Sequence, residues 1–211
     1  KSTFIKRFMD LLVLPEINDE YKLSRITDEL PQSCGGKTIM TTEPKFIPKE
    51  AAQINLCEDT KVKIRLIDCV GFMTANAGGH MEDNKERMVK TPWFDYEIPF
   101  TKAASIGTKK VICDHSAIGI VITSDGSFGE FERNDYLEAE SLTINELKKY
   151  KKPFVVLLNS AKPNSSSAIE CAGEISKKHD VTVIPVNCST LKHDELISIL
   201  EKCLYEFPVT C

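Results

Sequence analysis

Four short stretches of this chain carry residue types that suit phosphate chemistry. Lys1-Ser2-Thr3 opens directly into the apolar-spaced run Phe4-Ile5-Lys6-Arg7-Phe8-Met9. Asp68 leaves the alternating segment Val62 to Asp68 and is followed three residues later by Gly71. Between them lie Thr38, Thr41 and Thr42, and far downstream the run Phe154 to Leu158 leads into Asn159-Ser160-Ala161-Lys162. A lysine and a hydroxyl at the start of a helix form the back half of a phosphate-binding loop. There the lysine reaches the β/γ-phosphates and the hydroxyl ligates Mg²⁺. The helix N-terminus adds its own positive potential. An aspartate at the end of a strand suits an acid that holds Mg²⁺ through water. A glycine three residues on lets a backbone N–H approach a γ-phosphate, although Asp and Gly also favour plain turns.

Sensing that phosphate needs a threonine, and Thr38, Thr41 and Thr42 are all open to the role. Thr41 and Thr42 sit in a stretch that Pro44 biases toward extended backbone. Phe72 follows Gly71 where a water-orienting glutamine is common in GTPases, and an aromatic ring cannot do that work. Glu82, Asp83 and the loop around Asp125 are the remaining candidates for it.

The base side is read from Asn159 to Lys162. GTPases place N-K-x-D after the corresponding strand, and the aspartate accepts hydrogen bonds from guanine. Here Asn159 is kept, Ser160 stands for the lysine and Lys162 for the aspartate. A cation cannot accept guanine's N–H donors, so ATP is the expected nucleotide. Asn187-Cys188-Ser189 follows the last strand, where it would either flank the base or form an ordinary strand-to-helix turn. The motifs together suit a site of Lys1, Asp68 and a threonine among Thr38, Thr41 and Thr42 for catalysis, with Ser2 and Asp68 for Mg²⁺. Lys1, Ser2, Thr3, Gly71, Asn159, Ser160 and Ser189 are the nucleotide-contacting set.

These residues need elements to hold them. Helical spacing runs from Ser2 to Leu14 and stops at Pro15. A short helix is expected near Tyr21 to Leu30, and short strands over Lys45 to Ile47 and Gln53 to Cys57, separated by Pro48. Gly71 to Trp93 is too long for a plain connection and reads as a mobile or functional loop, part of a switch-like insertion over 71–98. Helix and strand then alternate. Pro99 to Cys113 is helical, Ala117 to Ile122 a buried strand, Asp135 to Tyr150 a helix, and Phe154 to Leu158 a second buried strand. Ser165 to Lys178 (helix), Val181 to Val186 (strand) and Asp194 to Tyr205 (helix) complete the order.

That order predicts an α/β fold with a doubly wound, mostly parallel sheet of the P-loop NTPase (GTPase-like) type, as one domain over 1–211. In such folds the phosphate loop follows a central strand. An apolar strand and glycine-rich turn are accordingly expected upstream of Lys1, making this the N-terminal domain of a longer protein.

Composition excludes several classes. With 211 residues, 42% of them apolar, the chain can bury a core, and a net charge of −4 argues against nucleic acid as a partner. No apolar run approaches the roughly 20 residues of a membrane span. The 8 cysteines form no C-x-x-C and no zinc spacing. They read as free structural thiols in a reducing compartment. His80, His115, His179 and His193 read as surface or satisfied core residues, the charges of Glu130 to Glu140 as a solvated helix face, and Trp93-Phe94-Tyr96 as a packed cover over the sheet.

Several longer blocks are more specific. Gly36-Lys37-Thr38-Ile39-Met40-Thr41-Thr42-Glu43-Pro44-Lys45-Phe46, Asp68-Cys69-Val70-Gly71, His80-Met81-Glu82-Asp83-Asn84, Met88-Val89-Lys90-Thr91-Pro92-Trp93-Phe94 and Lys152 to Ser160 together resemble the stage IV sporulation protein A family across nearly the whole chain. The resemblance implies an Mg²⁺-dependent ATPase of the GTPase-derived P-loop class, which uses hydrolysis to self-associate into a polymer. That polymer is the base layer of the spore coat. In that family the phosphate-loop lysine, the strand-end aspartate and a threonine pair matter for hydrolysis or its coupling to assembly, and they fall on Lys1, Asp68, Thr41 and Thr42. It also implies a place at the forespore surface on the mother-cell side, and contacts with coat proteins and a small amphipathic membrane-anchoring peptide through regions outside this chain. A GTPase-type switch, or a scaffold that nucleotide merely stabilises, are the alternatives.

Overall fold

The computed structural model describes residues 1–31, 44–57, 60–74, 78, 80–82, 85–129 and 131–207. Helix α1 spans Ser2–Phe8 and buries Phe4, Ile5 and Phe8. Its axis continues through a wider π-helical turn, Met9–Val13, and a single 3₁₀ turn, Leu14–Glu16, that contains Pro15. The expected helix is thus one axis in three windings, with Phe4, Phe8 and Leu12 facing the core at i, i+4 spacing. Helix α2, Glu20–Glu29, is capped by Asp19, whose carboxylate accepts from Tyr21 N (2.9 Å) and Lys22 N (3.2 Å).

Strands β1 (Lys45–Cys57) and β2 (Thr60–Asp68) form an antiparallel hairpin, with Lys45 opposite Asp68 and Ile47 opposite Leu66. The two short strands expected here are one. The register shifts between Ile47 and Ala52, so Pro48 falls within an irregularity of the ladder rather than ending the strand. A proline has no N–H to give to a ladder, which is why it is tolerated at such a bulge.

The stretch read as a loop after Gly71 holds paired backbone. β3 (Met81–Glu82) pairs with β4 (Lys85–Glu86), and β5 (Met88–Thr91) with β6 (Phe94–Pro99), each as a small antiparallel pair. β6 runs straight into helix α3, Phe100–Lys110, which ends in a π turn, Val111–His115.

The second half is a parallel three-stranded sheet in the order β7 (Gly119–Ser124), β8 (Phe154–Asn159), β9 (Val183–Val186). Helices α4 (Arg133–Lys149) and α5 (Ser166–His179) make the crossovers, and α6 (His193–Tyr205) follows β9. β8 is buried from Phe154 through Leu158. Its side chains alternate between layers. Val155 and Leu157 join the core of α1 and α6 residues such as Phe8, Leu196 and Ile199. Phe154 and Val156 meet Ile144 and Leu147 of α4, and Leu158 meets Ala172 and Ile175 of α5. A strand buried on both faces must be apolar throughout, which is what made this run readable.

Candidate functional site

The start of α1 and the end of β2 come together. Lys1 Nζ lies 3.0 Å from Asp68 Oδ1, with the lysine side chain 41% exposed and the carboxylate 17%. The same ammonium donates to the carbonyls of Cys69 and, at 3.4 Å, Val70. Apart from that ion pair, Asp68 Oδ1 is buried and accepts no hydrogen bond. Ser2 and Thr3 occupy the first turn of α1 beside it. Gly71 has φ +87°, and a Cβ there would meet nothing within 4 Å. Glycine is thus required by backbone conformation, not by space, and its backbone N–H lies against the Cys69 thiol. Burial pushes the Cys69 thiol up, so beside Lys1 it stays protonated and unreactive.

A second group gathers at the C-terminal ends of β7, β8 and β9, the edge where open parallel sheets take ligands. Asn159 is its hub. Its Oδ1 accepts from Cys188 N (2.9 Å), and its carbonyl accepts from Asp125 N and Ser124 Oγ (3.3 Å each). Ser160 is buried, its N–H donating to Val186 O at 2.8 Å, and its Oγ accepts from Lys162 N at 3.1 Å. Lys162 itself is exposed. Asn187 Oδ1 accepts from Ser189 N (3.0 Å) and Ser189 Oγ (2.6 Å), which folds that turn onto itself. Arg7 Nε, donating to Leu191 O at 2.8 Å, ties α1 to the loop that follows.

A cavity of about 1330 Å³ lies between the two halves. Ile64, Leu66, Ile118, Ile120 and Ile122 line it, with Phe4 and Phe8 of α1. Among the described residues β2 pairs only with β1 and β7 only with β8, so each turns an open edge toward this space.

Thr38, Thr41, Thr42 and Asp83 lie outside the described residues. Asp125, one of the three candidates for orienting water, is held by Ser127 beside Ser160. The charged run ending at Glu140 is not all solvated. Arg133 pairs with the buried Glu140 through both terminal nitrogens (2.7 and 2.8 Å), and its Nη1 also reaches Thr123 Oγ1 and Ser124 O. The seven-residue spacing, two helical turns, was the available signal. Tyr96 is 62% exposed and lies tilted against Phe94, and Trp93 takes Lys110 over its ring, so Tyr96 is not part of a packed cover. His179 is buried, and Cys69, Cys113, Cys171, Cys188 and Cys203 are free thiols. Among the described residues no cluster of three or more His, Cys, Asp or Glu could hold a metal, and no helix is long and apolar enough to cross a membrane.

The fold and this edge define a mixed α/β domain with a parallel three-stranded sheet, compatible with an ATPase. The family described as "Stage IV sporulation protein A, ATPase domain" matches residues 1–208, and the chain belongs to it. It is similar to stage IV sporulation protein A of Bacillus subtilis (strain 168), with 47% identity over 209 residues, 99% of this chain and 42% of that protein. The same protein of Bacillus anthracis is also 47% identical over 209 residues, and that of Clostridioides difficile (strain 630) 46% over 210. The chain thus spans about two fifths of the length of these curated relatives.

Proposed function

We propose that the chain is the ATP-hydrolysing part of a spore-coat assembly protein, built on a doubly wound P-loop NTPase sheet of the GTPase-like type. The observation that carries this reading is the approach of Lys1, at the head of α1, to Asp68, at the end of β2. The cavity between β2 and β7 supports it, since its two open strand edges and apolar lining suit the central strand that precedes a phosphate loop. The family's ATPase description agrees.

In this reading Lys1 neutralises phosphate charge and the Ser2 and Thr3 end of α1 faces the phosphates. Gly71 offers its N–H to the γ-phosphate, and Thr41 and Thr42 sense it. The oxygen donors of Ser2 and Asp68 fit Mg²⁺, a hard cation that takes one or two protein oxygens together with substrate phosphates, and the otherwise unbonded Oδ1 of Asp68 is available to its water. When bound, Mg²⁺ supplies charge neutralisation at the β- and γ-oxygens. Asn159, Ser160 and Ser189 bound the base, and Lys162 disfavours guanine. The hairpin-bearing insertion 71–98 would answer to nucleotide state. Self-association into a coat base layer at the forespore surface, and contacts with coat proteins and an amphipathic anchoring peptide through regions outside this chain, complete the proposal.

The test is hydrolysis by the full-length protein with Mg²⁺, with ATP and GTP in competition. ATP turnover that chelation abolishes is expected. GTP outcompeting ATP would favour a GTPase-type switch, and nucleotide binding without turnover a scaffold.

A further inference from the structure

The turn after β7 is fastened to the turn after β8 more firmly than the sheet requires. β7 and β8 are in register up to Ser124 opposite Asn159. Beyond that pair, Asp125 N and Ser124 Oγ both donate to Asn159 O, and Ala161 N donates to Ser127 Oγ at 2.8 Å. Ser127 in turn donates its hydroxyl (2.5 Å) and its N–H (2.9 Å) to Asp125 Oδ1. Partial burial alone would raise the Asp125 carboxyl, but the hydroxyls of Ser127 and Ser160 and nearby backbone outweigh it and hold the group below its ordinary value, so it is a charged acceptor at neutral pH.

The far side of this turn is fixed too. Gly126 has φ +85°, and a Cβ there would lie 2.7 Å from Arg133 N at the head of α4. Ser124 Oγ accepts from Gly126 N at 3.1 Å, and Arg133, anchored on buried Glu140, donates to Ser124 O. The turn is therefore pressed between α4 and the Asn159–Lys162 turn. Ser127 Oγ reaches across it and sets the direction of the Ala161 peptide.

The geometry points to Ser127, with Asp125 behind it, as a positioning residue for recognition of the nucleoside part of the nucleotide. This rests on the reading that Asn159 to Lys162 faces the base. Ser127 orients Ala161, Asp125 orients Ser127, and neither needs to touch the ligand. Losing one such hydrogen bond weakens base binding and leaves phosphate binding alone.

The experiment compares binding of ATP and of inorganic tripolyphosphate, which has no base, to the full-length protein. Ser127→Ala is expected to weaken ATP binding about fivefold, the worth of one hydrogen bond, with tripolyphosphate unchanged. Ser127→Thr keeps the hydroxyl and is expected to keep ATP affinity, while Asp125→Ala should reproduce Ser127→Ala. Equal losses for both ligands, or no loss for either while the unaltered protein prefers ATP to tripolyphosphate, would overturn the positioning role and leave the base-side reading standing. Unaltered protein that binds both ligands equally would overturn the base-side reading and this inference with it.

Discussion

Lys1 Nζ and Asp68 Oδ1 lie 3.0 Å apart, joining the head of the first helix to the end of the second strand. Under the proposed function this contact sets opposite charges where triphosphate and Mg²⁺ would meet the protein. Asp68→Asn in the full-length protein is expected to lower ATP turnover about a hundredfold or more, as loss of a key electrostatic group does. Turnover assays beside thermal melting check it, and wild-type turnover would remove Asp68 from the site.

Gly71 tests the backbone at the same place. An alanine meets no neighbour there, so Gly71→Ala isolates the conformational cost of φ +87°. We expect about 1 kcal/mol lost from unfolding free energy. The reoriented peptide should cut turnover by roughly tenfold or more. Equilibrium denaturation and steady-state kinetics separate the two effects.

Base choice is tested at Lys162. Lys162→Asp restores an acceptor for guanine and should move ATP/GTP competition toward GTP by about tenfold, since acceptors matched to a ligand's donors discriminate strongly. An unchanged ratio would mean that the exposed Lys162 side chain does not read the base.

Arg133 and Glu140 form a pair that folding must desolvate, with side chains 21% and 1% exposed. Glu140→Gln leaves the guanidinium without its counter-charge, at a cost on the order of 3 kcal/mol. Arg133→Met with Glu140→Leu should recover much of that loss, because an apolar replacement avoids the desolvation. Urea unfolding of the single and double variants measures the difference.

His179 gives the protein an acid-side weakness. Burial, then repulsion from Lys178, lowers its pKa despite Glu140 Oε1 at 4.0 Å, so at neutral pH that contact is not an ion pair. The unfolded chain then binds a proton more readily than the native one. Stability is full above the ordinary histidine value of 6.5 and declines as pH falls through it toward the lower native value. Urea unfolding at about pH 7.5 and about pH 5 should show this decline, and His179→Gln should remove its share.

The sequence was legible where one face or both faces of an element had to be apolar. Phe154 to Leu158 could be nothing but buried, and Phe4, Phe8 and Leu12 marked a helical face. Lys1 and Asp68 stood out because each sits at an element's end beside apolar residues. Pro48 misled, because a bulge interrupts the alternation without ending the strand. β3 to β6 escaped because strands of two to six residues carry too little pattern. Arg133 and Glu140 escaped because charge suggests solvent, and only the packing of α4 on β7 shows that both heads turn inward. Ser127 was invisible for a simpler reason: its partner Ala161 is 34 residues away and offers only a backbone N–H.

The cleft between β2 and β7 also bears on how the molecule comes apart. Among the described residues the two ladders share no hydrogen bond, so their amide protons can exchange independently, and the β1–β2 hairpin and the β7–β8–β9 sheet are expected to open as separate cooperative units. A strand seated between them would give both a common ladder and fuse those openings into one event. Phosphate grip and global cooperativity would then depend on the same few residues of backbone.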